Sequence, residues 1–201
     1  MRLKLLVLVL LPASCGLADL QAQQRFRYFS IAATNSASSY PVSGVPQLWK
    51  AGIHPGLTLG TGFNWKQFGN ISWVQTFKIG FFRHRFIQNA VLLYTENGLR
   101  YSYGAWGISA MLGAGYLHSF VATDRFKQNP DGVYQSYGKW GRPQAMFGFT
   151  LGIDRSVGNG CRVFTRVQTI LQTPFVQGYI PILPINQLHF GMTFPLRKHQ
   201  P

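Results

Sequence analysis

His118 and Ser119 are the residues whose types first suggest chemistry, with Asp124 the nearest acid. A serine, a histidine and a carboxylate in mutual reach activate a hydroxyl for acyl transfer. Here the two sit side by side at the end of a strand-like segment, and adjacent strand residues point to opposite faces. The spacing His-x-Ser, which would put both on one face, is absent, so the pair reads as the rim of a strand ahead of a long loop. His189 and Thr193 share a face near the C-terminus without an acid, and His84 lies between Arg83 and Arg85. Five scattered histidines with no Cys or carboxylate at ligand spacing define no metal site. Gly113-Ala114-Gly115 falls inside a strand-like segment, where it cannot cradle a phosphate at a helix start. The expectation is a protein that is not an enzyme and needs no cofactor.

The elements that would position these residues are strands. Alternation of apolar with small or polar side chains predicts strands over Ile53–Trp65, Ile71–Arg83, Ala90–Tyr103, Gly107–Phe120, Gln144–Arg155, Gly160–Gln172 and Gln187–Leu196. The last is the clearest: Leu188, Phe190, Met192, Phe194 and Leu196 share one face, and Gln187, His189, Gly191 and Thr193 the other. The connections Lys66–Asn70, Gly104–Trp106 and Ser156–Asn159 are short, whereas Val121–Pro143 and Thr173–Asn186 are long. Bacterial barrels put short turns in the periplasm and long loops outside. With the C-terminus periplasmic, the strand over Ile53–Trp65 runs downward and needs an upward strand before it. Arg25–Thr34 is the candidate, followed by the loop Asn35–Trp49. The fold class expected is therefore all-β: an eight-stranded antiparallel transmembrane up-and-down β-barrel with long extracellular loops, in the cell outer membrane. Trp65 and Trp73 flank one periplasmic turn, and Tyr101, Tyr103 and Trp106 gather at the next, as an interfacial aromatic girdle requires.

Residues 1–22 have the layout of a secretory signal, with Arg2 and Lys4 ahead of the apolar run Leu5–Leu11, so the barrel would occupy residues 23–201. That run is far shorter than the roughly 20 residues of a spanning helix. Cys15 at its end is an alternative lipid-attachment point; without it, Cys161 is the one cysteine left and no intrachain disulfide can form. A net charge of +14 attracts polyanions. An exported chain with 16 Phe, 9 Tyr and 5 Trp is badly placed to meet nucleic acid, and outer-membrane lipid and lipopolysaccharide are the counter-charges expected.

Assigning the greasy face to lipid sends Gly56, Thr58, Gly60, Gly62 and Asn64 inward on one strand, and the same parity sends Lys78, Glu96, Arg100, Asp154, Arg162 and Arg166 into the lumen. An Arg or Lys facing mid-bilayer lipid costs about 2–4 kcal/mol, which is the physical reason for that segregation. Glu96 and Arg100, four apart on one face, with Lys78 on the preceding strand, suggest one ion-paired network that fills the interior and leaves no pore. A second cationic group, Arg125, Lys127, Lys139 and Arg142, is interleaved with Tyr134, Tyr137 and Trp140 in the loop Val121–Pro143, and could contact anionic glycolipid or a partner protein. Asn129-Pro130-Asp131-Gly132 marks its tip.

The strand Tyr94-Thr95-Glu96-Asn97-Gly98-Leu99-Arg100-Tyr101, the strand Gly113-Ala114-Gly115-Tyr116-Leu117-His118, the re-entry Gly141-Arg142-Pro143, the signal end Leu20–Gln23 and the closing Leu188–Leu196 resemble the small outer-membrane β-barrel proteins of Bacteroidota-type bacteria. The ending departs from the common aromatic finish, since Phe194-Pro195-Leu196 is followed by Arg197–Pro201. The resemblance implies an eight-stranded barrel without a settled activity. The functional expectation is a structural, adhesive or accessory subunit of an envelope complex, with the barrel assembly machinery as a partner during insertion and a larger outer-membrane protein complex as a candidate later one. The rival is a lipid-modifying hydrolase of the lipid A deacylase type.

Overall fold

Hydrocarbon offers no hydrogen-bond partner to a strand edge, so a sheet that crosses a bilayer must close on itself. Eight strands do so here. The computed structural model describes residues 27–41, 44–50, 52–85, 87–121, 126–128, 132, 134–136, 140–175 and 181–196; the signal segment expected over residues 1–22 lies outside them. The barrel consists of β1 (Arg27–Ser38), β2 (Pro55–Phe68), β3 (Ile71–His84), β4 (Gln88–Tyr103), β5 (Trp106–Val121), β8 (Arg142–Gly158), β9 (Cys161–Thr173) and β10 (Leu183–Pro195). Each pairs antiparallel with its neighbour in chain order, and β1 closes the ring against β10, from Tyr28 opposite Pro195 to Ser38 opposite Ile185. The expected first strand exists and runs further than its pattern suggests, to Ser38.

Three tight turns join β2 to β3, β4 to β5 and β8 to β9. They use left-handed residues at Gly69, at Gly104 and at the Asn159-Gly160 pair, the residue types that adopt positive φ most readily. Trp65, Trp73, Tyr101, Tyr103 and Trp106 are all exposed around this end, which is the periplasmic one by the usual orientation. Above it the outer face is a belt of exposed Phe77, Ile79, Leu93, Leu112, Phe147, Leu151 and Phe190. A soluble protein does not show a continuous apolar girdle of this kind. The chain is an outer-membrane-type transmembrane barrel.

The long loops hold structure of their own. In the β5–β8 connection, β6 (Phe126–Gln128) pairs with β7 (Tyr134–Ser136), which puts the expected Asn129–Gly132 tip between two short strands. The β1–β2 connection, expected as plain loop, carries a one-turn helix α1 (Gln47–Lys50) and folds down over the barrel's outer surface. There Leu48 and Val45 cover Ala37 and Leu188, so Leu188 is buried although it lies on the outward parity of β10. Alternation assigns a residue to a face, and cannot say whether lipid or another segment covers it.

The depth of the belt makes a measurable difference. Ile79→Arg and Leu93→Arg, both mid-belt, are expected to cost about 2–4 kcal/mol each and to block assembly, whereas Tyr103→Arg in the girdle should cost about 0–1 kcal/mol. The readout is the fraction of protein that migrates as the compact, heat-modifiable form from isolated membranes.

Candidate functional site

The interior is filled in layers, and the charged residues occupy the lower two. Glu96 lies near mid-height with 1% of its surface exposed. Its Oε2 accepts from Lys78 Nζ at 2.5 Å and from Thr76 Oγ1 at 3.3 Å, and its Oε1 accepts from Thr150 Oγ1 at 2.7 Å and from Gln168 Nε2 at 2.9 Å. One carboxylate thus takes hydrogen bonds from β3, β8 and β9 while anchored on β4. Tyr94 stands beside it, with its ring under the Lys78 ammonium and its hydroxyl within 3.5 Å of Gln168 Oε1. A buried charge is tolerated when paired and fully hydrogen-bonded, and this one is.

Nearer the periplasm, Arg100 grips Asp154 with both Nε and Nη2, at 2.8 and 2.6 Å, and donates a third bond to Ser102 Oγ. The sequence suggested a joint Glu96–Arg100–Lys78 cluster, and the structure separates it into two ion pairs, Lys78–Glu96 and Arg100–Asp154. Strand geometry explains the difference: residues four apart on one strand are about 13 Å apart, so Glu96 pairs with Lys78 on the adjoining β3, and Arg100 reaches past β5 to Asp154 on β8. Arg162 lies over the Tyr28 ring and Arg166 over that of Phe164, at 5.6 and 4.0 Å. These cations border a cavity of about 10 Å³ next to Arg100 and Asp154, room for about one water.

Glycines facing these side chains make the layers fit. A Cβ on Gly60 would stand 2.9 Å from Lys78 Cγ, one on Gly107 2.3 Å from Arg100 Nη2, and one on Gly152 2.6 Å from Arg166 Cγ. Each long charged side chain therefore lies flat across a neighbouring strand that has no side chain to oppose it. The inward glycines of β2 were legible as small; their matching to particular charges was not, because it depends on cross-strand register.

Above the charges comes an apolar layer of Phe82, Leu92, Leu117, Met146, Ile170 and Ile185, which share the inward parity of the charges although hydrophobicity alone does not separate them from the lipid face. Above that, Gln172 exchanges amide bonds with Gln88, donates to Gln144, and Gln144 donates to Pro174 O. At the extracellular mouth the rings of His54 and His84 stack with centroids 3.8 Å apart, and His54 contacts Ser36 O through Nδ1. No residue of this cap was singled out as a group from the sequence.

His118 and Ser119 point to opposite faces. His118 is on the outer surface of β5, within 2.6 Å of the Tyr116 hydroxyl through Nδ1 and 2.9 Å of Trp140 O through Nε2, while Ser119 is buried inside. The outward neighbours of His118 on its own strand are Tyr116 and Phe120. His189 and Thr193 are buried in the lumen. Of the four loop cations, Arg125 and Lys139 lie outside the described residues, and Lys127 belongs to β6. Arg142 is engaged within the protein. It opens β8, donates through Nη1 to Phe175 O at 2.7 Å and covers the Phe175 ring, so it ties the two extracellular connections together.

No family model and no curated protein matches the chain. Among solved structures the chain is similar to Ail, the attachment invasion locus protein of Yersinia pestis, in complex with the heparin analogue sucrose octasulfate (10% identity, TM-score 0.46, 86% of this chain and 99% of that one). It is also similar to Neisserial surface protein A (8% identity, TM-score 0.48, 86% and 97% covered) and to the outer membrane enzyme PagL (11% identity, TM-score 0.47, 84% and 99% covered). At these identities the likeness concerns barrel architecture and carries no activity across.

The ion pair at mid-lumen sets a test. Glu96→Gln leaves the Lys78 ammonium buried without its counter-charge and is expected to cost about 3–5 kcal/mol, seen as a lower temperature of unfolding in the gel-shift assay. Adding Lys78→Met to that variant should recover most of the loss.

Proposed function

We propose that this protein is a non-enzymatic outer-membrane barrel, a structural, adhesive or accessory subunit of the envelope that acts through what it displays outside. The observation that carries this reading is the filled lumen. A Glu96-centred polar layer lies under an apolar layer and a glutamine cap, leaving the interior with the form of a core. The rigid part of the molecule then serves to hold the extracellular connections, and those are basic. Arg125, Lys127 and Lys139 belong by sequence to the β5–β8 connection, with Tyr134, Tyr137 and Trp140 among them. Cations with aromatics at this level suit the phosphates and sugars of an anionic glycolipid, the ligand class this reading assigns to the loop.

The rival hydrolase reading needs a serine on the face of His118, where Tyr116 and Phe120 stand instead. The separation of His118 from Ser119 supports the non-enzymatic reading.

Two measurements test the proposal. Purified protein in planar bilayers should carry no steady single-channel current; regular conductance steps would overturn the filled-lumen role. Anionic glycolipid should copurify with the wild type and fall several-fold in the triple variant Arg125→Gln, Lys127→Gln, Lys139→Gln, with Arg142 kept because it holds Phe175. Unchanged recovery would remove glycolipid as the loop's ligand.

A further inference from the structure

Two pairs of amide side chains interrupt the barrel's apolar outer face, and the chain treats them differently. Asn35 and Asn186, toward the extracellular end, are covered by the β1–β2 connection. Asn35 donates to Leu48 O and accepts from the His54 N–H, and Asn186 donates to Ser39 Oγ and Tyr40 O while accepting from Thr169 Oγ1. For this pair the protein supplies its own cover and a partner for each polar end.

Gln75 and Asn97 form the other pair, directly opposite each other on β3 and β4. They lie about 5 Å to the bilayer side of Trp73, two residues up a tilted strand. Trp65 and Trp73 donate their indole N–H groups to Gln75 Oε1 and Asn97 Oδ1, and Gln75 donates to Thr95 Oγ1 at 3.3 Å. Asn97 remains exposed, and its Nδ2 has no partner among the described residues. No described segment covers this patch as α1 and its flanks cover the first. An amide donor without an acceptor in hydrocarbon carries a desolvation cost, and polar side chains on lipid-facing surfaces are accordingly the groups that bond across membrane interfaces.

We propose that the Gln75–Asn97 patch is a dimerisation surface whose occupant is a second copy of this chain. Two copies inserted in the same direction are related by an axis along the membrane normal, which brings identical patches together at identical depth. The patch is self-complementary: the Asn97 amide of each copy donates, and the carbonyl oxygens of Gln75 and Asn97 each retain a second lone pair to accept. On the outer face of β5, Leu112 stands opposite Asn97 between Ala110 and Ala114, so an exposed apolar side chain borders the amide pair and would be covered with it. A different membrane protein would need acceptors at this same depth, whereas a second copy has them by construction. The inference does not depend on the ligand of the extracellular loops.

The test uses the full-length protein in native membranes. Leu112→Cys, beside Asn97 with both amides kept, in a Cys161→Ser background should form a disulfide-linked dimer on mild oxidation in about ten-fold higher yield than Phe190→Cys, an exposed outward position on β10, four strands around the ring from β4. The double variant Gln75→Leu, Asn97→Leu, which lipid tolerates and which heat-modifiability shows to be folded, should lose the dimer seen for the wild type by native mass spectrometry from nanodiscs. Equal cross-linking at positions 112 and 190 overturns the proposal. So does a wild-type monomer with a retained phospholipid, or cross-linking of Leu112→Cys to another protein in place of itself.

Discussion

The Glu96 carboxylate is the constraint on which the interior depends. A negative charge in the middle of an eight-stranded barrel has little water to solvate it, so its surroundings must do so. Lys78 supplies the charge, and Thr76, Thr150 and Gln168 supply the remaining hydrogen bonds. These donors come from three strands, so satisfying one side chain fixes the relative positions of β3, β4, β8 and β9. The glycines follow from the same demand, since a lysine or arginine can lie flat against the wall only where the wall has no side chain. Arg100 and Asp154 repeat the arrangement lower down, as an independent pair.

What alternation records is which way a side chain points, and that part of the fold was legible. The strand spans, the inward parity of Lys78, Glu96, Arg100, Asp154, Arg162 and Arg166, and the opposed directions of His118 and Ser119 all follow from a period of two. What alternation omits is contact. Glu96 meets Gln168 across the lumen, and the separation of Arg100 from Glu96 depends on which strands face each other. Leu92, Leu117 and Ile170 are apolar on the inward face because the upper lumen is a hydrophobic core, so a greasy side chain does not by itself mean lipid. Arg142 reads as a loop cation by composition and is held by Phe175.

Composition describes the outer surface less completely than the inner one. The belt of Phe, Ile and Leu was evident, whereas the amides within it gain meaning only from their environment. Asn35 and Asn186 resemble Gln75 and Asn97 in type and parity, and differ in having a folded connection above them.

That connection has a mechanical consequence. It lies over the seam where the first and last strands of the barrel meet, with Leu48 packed on Ala37 of β1 and Leu188 of β10, and Ser39 and Tyr40 held by Asn186. Lateral parting of β1 from β10 would have to shear this latch as well as the ladder beneath it. The weakest place of any closed sheet, the join between its two ends, is thus the place where this chain is two layers thick.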